Sequence, residues 1–137
     1  MSAVRQALVA LVAAAALAGS SVALAAGSLT GIFTTTLKGK TPASLNGDWA
    51  ILIKKSGDYQ IAKRVGTSGQ LLVSGHATIA GARITFRKET GQAACKGKQA
   101  VGRYAWSLKG KALRFQRLQD KCSGRRIILG GTFTKVG

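Results

Sequence analysis

Strict alternation of apolar and polar residues limits this chain more than any other feature. Ala82, Ile84 and Phe86 alternate with Arg83, Thr85 and Arg87. Gly102, Tyr104, Trp106 and Leu108 alternate in the same way with Arg103, Ala105, Ser107 and Lys109. A period of two puts successive side chains on opposite faces of a strand, one face dry and one wet. Other segments follow suit: Trp49, Ile51 and Ile53 share a face, as do Tyr59 and Ile61, and Leu113 and Phe115. Glycine-rich turns separate the segments at Ser56-Gly57-Asp58, Gly66-Thr67-Ser68-Gly69, Ala80-Gly81 and Lys109-Gly110-Lys111. Little of the body shows a period of 3.6. The expectation is an all-β, up-and-down antiparallel meander of eight or nine strands, closed into a barrel so that no edge is exposed. A two-sheet sandwich is the alternative.

Some details are less regular. Gly75 interrupts Leu71 to Thr78 and predicts a bulge or bend. After Phe115 the parity slips, so either a bulge falls near Gln116 or a basic side chain, Arg117, points inward. The stretches Arg125 to Leu129 and Gly131 to Val136 are read as the last strands, kinked at Gly130-Gly131. Pro42, the only proline, marks a linker after a first strand at Ile32 to Leu37.

The N-terminus has a different pattern. A basic start at Arg5, an apolar run from Ala7 to Leu17 and the small-residue site Ala23-Leu24-Ala25 read as a secretory signal peptide. An uncleaved anchor is the rival reading. The predicted organisation is a signal peptide over 1–25, an N-terminal strand and linker over 26–44, and a β-barrel over 45–137. Cleavage after Ala25 leaves 112 of the 137 residues, enough for one domain with a small core. The address is secreted or extracytoplasmic, in the cell envelope. There a disulfide is permissible, and the two cysteines, Cys95 and Cys122, are read as one bridge. No second apolar run is long enough to span a bilayer.

The charge is lopsided. There are 21 Lys and Arg against 4 Asp and Glu, a net +17 that becomes +16 when Arg5 leaves with the leader. Such an excess attracts polyanions. Lys54, Lys55, Arg103, Arg114 and Arg125 are the candidate contacts for anionic envelope polymers. No motif points to a specific nucleic-acid site. Chemistry-bearing constellations are sparse. His76 is the only histidine, and no second metal ligand stands at a usable spacing. The four acids form no recognisable general acid–base couple. Asp120, among Lys121, Arg125 and Arg126, is read as a salt-bridge partner at the disulfide loop. No cofactor, no metal and no enzymatic activity are expected.

Leu45-Asn46-Gly47-Asp48-Trp49, a Gly-x-Trp at the head of the first main strand, resembles the calycin group: lipocalins, fatty-acid-binding proteins and avidin-like barrels. Thr85-Phe86, Ala94-Cys95, Gly102-Arg103-Tyr104-Ala105-Trp106 and Asp120-Lys121-Cys122-Ser123-Gly124-Arg125 also look like segments of small exported actinobacterial barrels. The second lipocalin motif, Thr-Asp-Tyr, is missing. The resemblance implies a lipocalin-like barrel with Gly47 and Trp49 as its plug and a late basic residue as the cap, Arg126 foremost, with Arg125 or Lys135 as substitutes. It also implies an interior of Tyr59, Phe86, Tyr104, Trp106 and Phe115 that holds a small hydrophobic or aromatic ligand in a monomeric protein. Two other uses compete: a basic module for anionic polymers, and a protein-binding, protease-inhibitor-like barrel with a free N-terminal arm.

Overall fold

A computed structural model describes residues 29–137. The predicted signal peptide lies outside the described residues. Eight strands form one closed antiparallel barrel in sequential order: β1 (Gly31–Leu37), β2 (Gly47–Ile53), β3 (Asp58–Val65), β4 (Ser68–Ala80), β5 (Arg83–Thr90), β6 (Gly102–Lys109), β7 (Ala112–Asp120) and β8 (Phe133–Lys135). One helix, α1 (Ser123–Leu129), stands between β7 and β8. The meander, the closure and the single disulfide agree with the sequence reading. Among the described residues, no helix is long and apolar enough to cross a membrane.

The barrel begins earlier than the predicted boundary at residue 45. β1 pairs with β2 from Gly31 to Leu37 and with β8 at Phe33 and Thr34, so it is a stave of the barrel and not a leading appendage. The second correction concerns Arg125–Leu129, expected as a strand. The β-branched Ile127 and Ile128 favour that reading locally, but Arg125, Ile128 and Leu129 stand at i, i+3 and i+4 and are all buried on one helical face. Gly130 ends the helix, its N–H donating to the carbonyls of Arg126 and Ile127.

Two irregularities follow the sequence. The β4–β5 register shifts between Ser74 and His76, at Gly75, where an added Cβ would stand 2.6 Å from the Tyr59 ring. The slip after Phe115 is a bulge at Leu118: Tyr104 pairs with Arg117 and Arg103 with Gln119. Arg117 shares the register position of an inward residue yet remains exposed.

The antiparallel order puts all the long connections at one end of the barrel. These are residues 38–46, 91–101 and 121–132. The opposite end has the tight turns through Gly57, Gly81 and Gly110, each with a positive φ. The interior is filled by Phe33, Ile51, Ile53, Tyr59, Ile61, Ile84, Phe86, Tyr104, Leu113 and Phe133, each at most 2% exposed.

Candidate functional site

Three arrangements decide what the barrel can do: its aromatic interior, a buried charge network at the disulfide end, and its outer wall.

The interior aromatics pack on one another. Phe86 meets Tyr59, Tyr104 and Phe115 edge-to-face at centroid distances of 5.1, 5.7 and 5.9 Å, and Phe115 continues to Phe133 at 5.9 Å. Such T-shaped pairs add to the stabilisation from area burial. Each end of the barrel has a tryptophan. Trp106 donates its indole N–H to the Gly81 carbonyl at the tight-turn end. Trp49 donates to the Leu45 carbonyl at the other, beneath the 3-10 turn Ala43–Leu45. Trp49 is 4% exposed. Its basic neighbour is not Arg126, which is exposed on α1. Instead Lys63 of β3 places its ammonium 5.6 Å from the indole centroid and also donates to the Ser44 carbonyl. The cap comes from the adjacent strand because Trp49 and Lys63 are register partners. The Gly47 Cα lies beneath the same lysine, with an added Cβ 3.2 Å from Lys63 Cε.

The charge network corrects the reading of Arg125 as a surface contact. Arg125 is 3% exposed. Its Nε and Nη2 each donate to Asp120 at 2.8 Å, a bidentate clamp, and its Nη1 lies 3.3 Å from Glu89 Oε2. The remaining donors reach the carbonyls of Gln99 and Ala100 at 3.0 and 3.2 Å. Tyr59 donates its hydroxyl to Glu89, and Tyr104 to Asp120. The Cys95 amide donates to Glu89 at 2.9 Å and the Cys122 amide to Asp120 at 3.0 Å. One guanidinium and two carboxylates thus hold both half-cystines, the 91–101 loop, α1 and the ends of β5 and β7. Among the described residues, no fully buried side-chain N or O lacks a hydrogen-bond partner. Burial, followed by the adjacent carboxylates, drives the Tyr59 and Tyr104 hydroxyls far above the ordinary phenol range. Burial also acts to raise the Asp120 carboxyl, but bonds from Arg125, Tyr104 and the Cys122 amide outweigh it and hold the group below its ordinary value.

The predicted salt bridge of Asp120 is therefore present, and buried. The part played by Glu89 was not read from the sequence, because Glu89 follows two polar residues and no local pattern marks it as inward. Gly102 had a signal, a glycine at an inward strand position. An added Cβ there would stand 2.7 Å from both Arg125 Nη2 and Asp120 Oδ2. Replacing Gly102 with alanine is expected to destabilise the fold by about 1–3 kcal/mol, as overpacking does. Gly69→Ala, where nothing lies within 4 Å, should stay within about 0.5 kcal/mol. Paired denaturant titrations check the contrast, and equal effects would contradict it.

The outer wall of β5, β6 and β7 collects arginines. Arg83 and Arg87 on β5 flank Thr85, and Thr85 pairs with Arg103 on β6. Strand geometry puts Arg103 at about 8 Å from each of them. Arg114 on β7 pairs with Ser107, about 12 Å from Arg83. All four arginines are exposed. Between them stand Thr78, Thr85, Ala105, Ser107, Gln116 and Gln119. Arg87 donates to Thr78 at 2.8 Å and Arg103 to Gln119 at 3.2 Å. No acid stands on this wall: Glu89 and Asp120 are buried, and Asp48 and Asp58 lie on β2 and β3. Of the predicted polyanion contacts, Arg103 and Arg114 are here, and Lys54 and Lys55 stand in the β2–β3 turn. Arg83 and Arg87 complete the cluster, and their β5 alternation was the signal for it. His76 lies beside the wall, opposite Arg87 on β4, and its Nδ1 is 3.2 Å from Asp58.

Comparison of the chain with protein-family models, curated proteins and solved structures returns no match.

Proposed function

We propose that this chain is an exported, non-catalytic binding module for anionic polymers of the cell envelope, and that the outer wall of β5–β7 is its contact surface. The carrying observation is the convergence of Arg83, Arg87, Arg103 and Arg114 on a wall without a single carboxylate. Four guanidiniums spread over three neighbouring strands, each able to make bidentate contacts, suit a chain of phosphates or carboxylates better than one small anion. Threonine, serine and glutamine between them add hydrogen bonds. No aromatic stands on the wall to stack on a base, which favours recognition of backbone charge over nucleotide sequence. The Gly47–Trp49 start and the sequential meander support kinship with the calycin group. The interior reading, a small apolar or aromatic ligand among Tyr59, Phe86, Tyr104, Trp106 and Phe115, competes with ring contacts that Tyr59, Phe86, Tyr104 and Phe115 already make with each other.

Polymer binding through charge releases counterions and so weakens with salt. With four contacts on a single-stranded polyanion, affinity for a labelled short polyphosphate should fall about 50-fold between 50 and 200 mM NaCl. Arg83→Gln/Arg87→Gln/Arg103→Gln/Arg114→Gln should retain the native circular dichroism and lose the wall's share of that binding, so that fewer short chains bind per molecule at saturation. The quadruple variant binding like the native protein would sink the proposal, as would tryptophan quenching by apolar ligands alone.

A further inference from the structure

We infer that the barrel has a second anion-binding surface, a groove over the outer face of β1–β3, and that the two surfaces together let one molecule bridge two polymer strands. This inference rests on the arginine-wall reading and extends it. The groove is an open depression of about 880 Å³ that runs to the rim at the long-connection end. Lys38, Lys40, Lys63 and Arg64 line it. The only acid among its lining residues is Asp48, already engaged by the Thr36 hydroxyl at 2.7 Å and by Arg64 at 3.9 Å. The floor is shallow because β1, β2 and β3 place Thr34, Ala50 and Ala62 side by side in register. These small side chains leave room for a polymer backbone, and the threonine hydroxyls offer it hydrogen bonds. Four cations against one acid leave the groove with an excess of positive charge, complementary to a negative chain.

The barrel topology sets the direction of this groove. β2, at its centre, stands four places from β6 in a ring of eight strands, so the groove and the arginine wall face opposite ways. A polymer strand on one surface cannot reach the other without wrapping around the barrel. Two strands, one on each side, can bind together, and multivalent binding then links polymers into a network.

The test separates binding from bridging. Binding to a short labelled polyphosphate and light scattering with long-chain polyphosphate are measured at the same ionic strength. The native protein should bind the short chain and raise the scattering of the long one. Lys38→Ser/Lys40→Ser/Arg64→Ser should keep short-chain affinity within about threefold and lose at least 80% of the scattering, roughly as expected when one of two sites is removed. Lys63 is left intact because it packs over Trp49. A charge-matched variant, Lys55→Ser/Lys96→Ser/Lys98→Ser, removes exposed lysines outside both surfaces and should scatter like the native protein. Equal loss in the two triple variants would overturn the groove as a site and leave only bulk charge. Native protein that binds the long chain without added scattering would overturn bridging while sparing the wall. A native protein that fails to bind the short chain would overturn both.

Discussion

Arg125→Met is expected to lower the unfolding free energy by about 3–5 kcal/mol at pH 7, a large share of what a domain of this size has. The methionine keeps an apolar stem but leaves Glu89 and Asp120 buried with no cation. Their side chains are 1% and 0% exposed, so water cannot replace the guanidinium. The loss should shrink as the pH falls, and the sign follows from Asp120. Its folded carboxyl sits below the ordinary value, so in the native protein its contribution is fully present above about pH 4 and is lost as the pH falls through the folded value. In the variant the unpaired Asp120 carboxylate takes up a proton more readily, and acid relieves it. Denaturant titrations of both proteins from pH 7 to pH 4 should therefore converge. A cost below about 1 kcal/mol, or curves that separate further in acid, would contradict the network as described. At the alkaline end, the elevated Tyr59 and Tyr104 contribute stability below about pH 10 that declines as the pH rises past the value of a free phenol.

Removing the disulfide with Cys95→Ala/Cys122→Ala should cost about 3–4 kcal/mol from the freed loop alone. The two cysteines are 27 positions apart. The larger point is coupling. The Cys95 and Cys122 amides each donate to one carboxylate of the network, so the bridge also orients the groups that Arg125 clamps. Arg125→Met should then cost less in the disulfide-free background than in the native one, by about 0.5–3 kcal/mol. A double-mutant cycle measures it. Additivity to within a few tenths of a kcal/mol would show that bridge and ion network act independently.

These two variants bear on the part of the molecule least visible in the sequence. The strands were legible because a half-buried strand writes its two faces into alternate residues, and Arg83 to Arg87 of β5 and all of β6 keep that pattern. Turns were legible because Gly57, Gly81 and Gly110 adopt a conformation other residues avoid. The helix was hidden because its buried face contains an arginine: Arg125, Ile128 and Leu129 have helical spacing, but a charged member disguises an apolar stripe. The network was hidden for a related reason. Arg125, Glu89 and Asp120 are neutralised by one another across the fold, and nothing local distinguishes them from solvent-facing charges. Hence Arg125 reads as a surface contact, whereas Arg126 over Trp49 is what the calycin resemblance implies. The arginine wall was half legible. Arg103 and Arg114 could be named from strand parity, but their meeting with Arg83 and Arg87 depends on the β5–β6–β7 register.

The central claim is that the wall, and not the interior, meets the partner. Arginine side-chain and tryptophan indole N–H resonances of isotopically labelled protein, followed during titration with a short polyphosphate, test it most directly. The expected result is a set of salt-sensitive shifts at Arg83, Arg87, Arg103 and Arg114, with the buried Arg125 and Trp106 unmoved. Still signals at those four arginines, together with shifts at Trp49 and Trp106 on adding an apolar ligand, would contradict it.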